Sequence, residues 1–182
     1  MSPDEKLKLL NALRQSGVRF IRAWIGNDSS YDFLKKAYDL GIKTDLTLYI
    51  MYRKDAPMRA PVADLPWMYG GPPLSAADPE LTKSTFETQL KKLEDLGIEF
   101  AAFELGNEQN NPSFNPEFTL YPKNDCATCR NMGLNDLKND PEGQRIAGGF
   151  RNYVKLLAAV KDVRDHSRLN RHTPILLGGL AD

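Results

Sequence analysis

The chain has 182 residues, 41% hydrophobic and 26% charged, a globular composition long enough for one ordinary domain. Lys plus Arg and Asp plus Glu both number 24, and no basic stripe interleaved with aromatics runs along the sequence, which argues against a nucleic-acid partner. No apolar run approaches the roughly 18 residues of a membrane span and no apolar leader opens the sequence, so no membrane partner is expected and localisation stays open.

Ser2-Pro3-Asp4-Glu5 predicts a helix start, with Ser2 as N-cap and Glu5 closing a capping box. Leu7, Leu10 and Leu13 form one apolar stripe to about Ser16, Gly17 is the expected stop, and Val18 to Ile25 has the residue types of a strand. The unit then recurs. A helix from Tyr31 to Leu40, N-capped by Ser29 or Ser30, meets Gly41 and a strand from Ile42 to Met51. A third helix, Asp78 to Leu96, meets Gly97 and an apolar strand from Ile98 that Gly106 interrupts just before Asn107 and Glu108. A fourth helix, about Gln144 to His166, leads through Asn170 to Pro174 into a short strand at Ile175 to Gly178, here without the glycine junction.

Repeated helix-then-strand units imply parallel strands joined by right-handed crossovers. The helix-to-strand connections need little more than one glycine, whereas the strand-to-helix segments Tyr52 to Ala77 and Gln109 to Glu142 are long. In a parallel sheet those long segments all leave the carboxyl face, so a substrate is expected there. An open doubly wound sheet shares this logic but calls for a glycine-rich phosphate loop, and Trp24-Ile25-Gly26-Asn27-Asp28 holds a single glycine. A (β/α) barrel is the expected fold.

Glu108, past the break in its strand pattern, is the candidate acid or base. Partial burial beside a second carboxylate would raise its pKa in the direction acid catalysis needs. Glu104 shares its strand parity and is read as an interior ion pair with Arg22, since a charge inside a barrel has to be paired, with a second catalytic carboxylate as the alternative. Trp24, Tyr49, Tyr52, Trp67 and Tyr69 are candidate sugar-stacking aromatics, Trp67 and Tyr69 within a proline-rich segment whose ordering cost on binding is thereby limited. Cys126 and Cys129 are either a loop staple, which would favour a secreted or extracellular setting, or two free thiols. With only two Cys and two His, neither a metal site nor a cofactor is expected.

Glu104-Leu105-Gly106-Asn107-Glu108-Gln109-Asn110 resembles the Asn-Glu motif that ends the fourth strand in the clan of retaining (β/α)8-barrel glycoside hydrolases. The flanking pattern is most similar to the heparanase-type and the xylosidase and iduronidase-type families. Leu177-Gly178-Gly179 resembles the fifth-strand segment of the latter, and Phe20-Ile21-Arg22 the clan's second strand. The resemblance implies a glycosidase acting on a carbohydrate, with Glu108 as general acid/base and Asn107 bonding the sugar 2-hydroxyl. Arg22 would then lie beneath the active site. It also implies a single partial TIM-barrel domain spanning residues 1–182, about helix one to strand five, with no residue onto which the strand-seven nucleophile can be carried. A retaining mechanism needs two carboxylates about 5 Å apart, so the isolated chain is expected to be inactive. A non-catalytic carbohydrate-binding relative and a purely structural domain are the alternatives.

Overall fold

The computed structural model describes residues 2–60, 71–112, 114–119 and 132–179. The protein is a mixed α/β fold. In chain order it forms α1 (Pro3–Gln15), β1 (Phe20–Trp24), α2 (Ser29–Asp39), β2 (Lys43–Leu48), α3 (Pro79–Asp95), β3 (Ala102–Leu105), α4 (Asp136–Asn139), α5 (Pro141–Asp165) and β4 (Ile175–Leu177), with a 3-10 turn at Leu74–Ala76. The strands make one parallel sheet in the order β1-β2-β3-β4. Register pairs Arg22 with Asp45, Thr47 with Glu104 and Glu104 with Leu176.

The chain divides into two compact units. The first comprises Met1–Tyr49, Lys83–Gly106 and Val160–Gly178, and the second Ile50–Thr82, Asn107–Ala159 and Gly179–Asp182. All four strands belong to the first.

Within that first unit, α1 begins on the expected capping box, in which the Ser2 hydroxyl accepts the Glu5 N–H and the Glu5 carboxylate accepts the Ser2 N–H. The three glycine junctions are left-handed, with φ of +91° at Gly17, +73° at Gly41 and +75° at Gly97. At each, the residue after the glycine donates its N–H five residues back, Val18 to Leu13, Ile42 to Ala37 and Ile98 to Leu93, so two orphan carbonyls per helix are satisfied in one turn. An L side chain resists that backbone region, which is why glycine recurs.

The sheet packs one face against apolar side chains. Leu10, Ala37 and Ile42 are fully buried, with Leu13, Ile21, Phe33 and Leu40 against them. Phe103 on β3 meets Phe86 of α3 edge-on at 5.0 Å between ring centroids, and Phe100 at 5.5 Å. The opposite face carries Phe20, Arg22, Trp24, Asp45, Thr47, Glu104 and Leu176, and leaves Phe20 66% and Trp24 58% exposed.

Several boundaries depart from expectation. Neither Ser29 nor Ser30 caps α2 from outside: both lie in its first turn, where the Ser30 hydroxyl accepts the N–H groups of Gly26 and Asn27. Strand β3 starts at Ala102, not Ile98, because the Asn170 side chain takes the Phe100 N–H and gives its own to the Ile98 carbonyl, occupying groups that a ladder would have used. Helix α5 starts at Pro141, three residues before Gln144, with the Asp140 carboxylate capping the N–H groups of Glu142 and Gly143.

The α5 to β4 connection shows why that junction has no glycine signal. The buried Glu94 carboxylate accepts from the Ser167 hydroxyl, from the backbone N–H groups of Arg168, Leu169 and Asn170, and from the Asn170 amide. Burial by itself would raise the Glu94 pKa, but these donors outweigh it and hold the carboxyl below its usual value. A side-chain staple thus does here what left-handed glycine does three times elsewhere.

In the second unit the described residues form no strand of the sheet. The unit shows isolated antiparallel bridges, Tyr52 with Ala77 and Arg59 with Gly71. Side chains do the tying: the Asn152 amide donates to the carbonyls of Leu74 (3.0 Å) and Ala77 (2.8 Å), and Arg59 to those of Pro112 and Phe118. Asn115, fully buried, donates to the Gln109 carbonyl and accepts the Glu117 N–H.

Candidate functional site

The residues singled out by sequence belong to both units, and each unit's share is taken by itself. On the open face of the sheet, strand parity puts Arg22 and Glu104 together as an ion pair through Arg22 Nε and Glu104 Oε2. Glu104 has 7% of its side chain exposed and Arg22 47%, so the pair is a buried carboxylate anchored to a half-solvated cation. Thr47 Oγ1 adds a 3.4 Å contact to the same carboxylate oxygen. This is the arrangement expected for an interior carboxylate that has to be compensated.

Asp45, the register neighbour of Arg22, lies on this face too. Its pKa is raised, first by burial and then by the Glu104 charge, with Arg22 opposing. Among the described residues its Oδ1 is buried without a hydrogen-bond partner. Sequence reasoning gave Asp45 no role, since no motif surrounds it. The signal that could have found it is an acid at an inward-parity position of an otherwise apolar strand, Thr44-Asp45-Leu46-Thr47-Leu48.

Trp24 projects from the end of β1. With Arg22, Lys6, Leu9, Phe33, Asn27, Ser29 and Ser30 it lines an open cavity of about 380 Å³. Tyr49 is also exposed, directly after β2. Trp67, Tyr69, Cys126 and Cys129 lie outside the described residues. Among the described residues no cluster of His, Cys, Asp and Glu could hold a metal ion, and no helix is long and apolar enough to cross a membrane.

Gly106 follows β3 at φ +75° and donates to the Leu48 carbonyl at 2.9 Å. The next residues belong to the second unit. Asn107 and Glu108 are half-buried, and Glu108 is the single non-glycine residue with positive φ (45°) among those described. Its carbonyl accepts the Asn111 N–H at 2.8 Å and its Oε2 the Asn111 amide at 3.2 Å, while Gln109 Nε2 donates to the Asn107 carbonyl at 2.9 Å. A left-handed residue with a Cβ costs on the order of 1–2 kcal/mol, so the surrounding hydrogen bonds hold Glu108 where its backbone would not settle alone.

Sequence reasoning also passed over Glu117. It is buried, accepts the Ser75 N–H at 2.8 Å, and fills space against Gly149, where a Cβ would stand 2.9 Å from the Glu117 Cγ. Tyr52 is pushed up to about 12, by burial first and by the Glu117 charge second.

Fold and site together define a mixed α/β protein with a parallel sheet and a strained glutamate in the segment after its third strand. A scan against protein-family models and a search of the curated proteins return no match.

Proposed function

We propose that the chain carries the acid/base half of a retaining glycoside hydrolase, on part of a (β/α)8 barrel, with Glu108 as the general acid and Asn107 as its sugar-binding neighbour. The observation that supports this reading best is the backbone at Glu108, where strain gathers on the residue that the Asn-Glu motif nominates. The Arg22–Glu104 pair supports it further, because a buried carboxylate that compensates a guanidinium already has a structural role, which leaves Glu108 the better candidate. The nucleophile would come from residues outside this sequence.

The competing structural reading, Glu108 as a loop clasp, has the Asn111 hydrogen bond in its favour. An affinity label separates the two. N-bromoacetyl glycosylamines place their electrophile where a leaving-group oxygen would sit, so peptide mapping of the labelled chain should find Glu108 esterified for at least one sugar of a gluco-, galacto- and xylo-configured panel. Glu108→Gln should abolish the label. Indiscriminate labelling of carboxylates, or none at all, would leave the loop clasp standing. The 182-residue chain should not hydrolyse aryl glycosides, and turnover lost in Glu108→Gln would mean that a second catalytic carboxylate lies within these residues.

A further inference from the structure

Downstream of Glu108 the chain makes two turns in succession. The Asn111 N–H returns to the Glu108 carbonyl at 2.8 Å, and the Asn115 N–H to the Asn111 carbonyl at 2.9 Å. Asn115 then reaches back six residues and closes the first turn from inside, its Nδ2 donating to the Gln109 carbonyl at 2.9 Å. We propose that Asn115 is a positioning residue for Glu108: its buried amide fixes the carbonyl of the next residue and so holds Glu108 in its left-handed backbone. The chemical consequence rests on the reading of Glu108 as general acid, while the geometry does not.

Burial explains why this residue is an asparagine. Asn115 is fully buried, so both ends of its amide need partners, and both have them: Oδ1 accepts the Glu117 N–H at 3.1 Å while Nδ2 serves Gln109. A leucine would fill the space and abandon both backbone groups. An aspartate carboxylate would set its lone pairs against those of the Gln109 carbonyl. Anchorage then continues outward. The buried Glu117 carboxylate accepts the Ser75 N–H at 2.8 Å and lies against Gly149, so the far side of Asn115 is tied to two other parts of the second unit. Pro112 and Pro116 flank the second turn, each ring fixing φ and lowering what the chain loses on ordering.

Glu108 needs such support. At φ of 45° a residue with a Cβ sits against its own preference. The clasp between its carboxylate and the Asn111 amide is a 3.2 Å contact of a half-buried side chain, for which water competes. The bond from Asn115 to Gln109 is enclosed and keeps more of its strength. Asn115 therefore acts on the chemistry through Glu108 and touches no reacting atom itself.

Two readouts on the 182-residue chain test this. A residue at positive φ gives a strong intraresidue NMR cross-peak between its amide and Hα protons, and Glu108 should show it in the unmodified chain. In Asn115→Ala that signature should be lost, and labelling of Glu108 by an N-bromoacetyl glycosylamine should slow by roughly tenfold or more, as expected when a reacting group is misplaced. Asn115→Asp should match Asn115→Ala at neutral pH and, measured against the unmodified chain at each pH, recover both readouts on acidification. Its protonated carboxyl then offers the Gln109 carbonyl an O–H in place of the amide N–H. Glu94→Ala, which removes a buried staple from the first unit, should leave both readouts unchanged. The proposal is overturned by a Glu108 that keeps its signature in either Asn115 variant, by a loss that Glu94→Ala reproduces, or by an Asn115 side-chain amide that exchanges in the unmodified chain as fast as an exposed one. A signature that follows Asn115 in a chain that takes no label supports the positioning and sinks the acid reading alone.

Discussion

The two units satisfy their backbones in opposite ways. In the first, most polar backbone groups are paired within helices, within the ladder, or through glycine turns that look back five residues. In the second, the long segments rely on side chains distant in sequence: Asn152 reaches Leu74 and Ala77, Glu117 reaches Ser75, and Arg59 reaches Pro112. Local solutions leave a readable signature and distant ones do not. The comparison also identifies the exception within the first unit, the α5 to β4 junction, which is built as the second unit is built, on a buried side chain.

That exception yields the largest expected effect. Glu94→Ala removes the acceptor for a set of donors on residues 167–170 and leaves those of Ser167 and Asn170 buried, which should cost about 3 kcal/mol in a denaturant midpoint experiment. The pH dependence follows from the lowered pKa of Glu94. Its contribution is present above the ordinary glutamate value of 4.5 and is lost as pH falls through the lower folded value, so Glu94→Gln should flatten the acid limb of the stability profile. An unchanged acid limb would mean that the staple is not what holds the junction.

Gly178 comes next. A Cβ there would stand 2.7 Å from the Leu105 carbonyl oxygen and 3.1 Å from the Gly106 carbonyl carbon, both backbone atoms that cannot turn aside. Gly178→Ala should therefore cost about 2 kcal/mol and disturb the pairing of β3 with β4, read as faster amide exchange across those strands. Gly97→Ala is the contrasting case, for nothing lies within 4 Å of its would-be Cβ and the cost is that of the left-handed backbone alone, about 1 kcal/mol. If Gly97→Ala proved the costlier of the two, contact and conformation would have exchanged their weights.

The same contrast explains what could be read in advance. Gly17, Gly41 and Gly97 announced the helix-strand frame because few residues other than glycine suit φ near +75° to +90°. The Arg22–Glu104 pair was legible from strand parity and the need to compensate a buried charge. The start of β3 was not, since the group that displaces the ladder belongs to Asn170, far along the chain from Phe100. The start of α5 had its signal in Asp140-Pro141, outweighed by the apolar pattern that begins later. At the candidate site, the motif named Glu108 and Asn107, but neither the left-handed backbone of Glu108 nor its Asn111 clasp has a sequence signature, as both arise from the closure of a loop.

Tyr52 offers the gentlest probe of the second unit, because its titration can be followed without destabilising anything. Its pKa is pushed up to about 12, burial coming first and the Glu117 carboxylate second. A spectrophotometric alkaline titration should show a phenol step well above the ordinary 10.0, and Tyr52→Phe should delete that step. A raised tyrosine pKa stabilises the folded state fully below the ordinary value of 10.0, and this contribution is lost as pH rises through about 12. Glu117→Gln keeps the shape and removes the charge, so the late step should move down only part of the way towards 10.0, the remainder being set by burial. A complete return to 10.0 would make the charge dominant and the site wetter than its half-buried tyrosine suggests. No movement at all would separate Glu117 from Tyr52 and leave the carboxylate with the Ser75 N–H alone as its purpose in the loops.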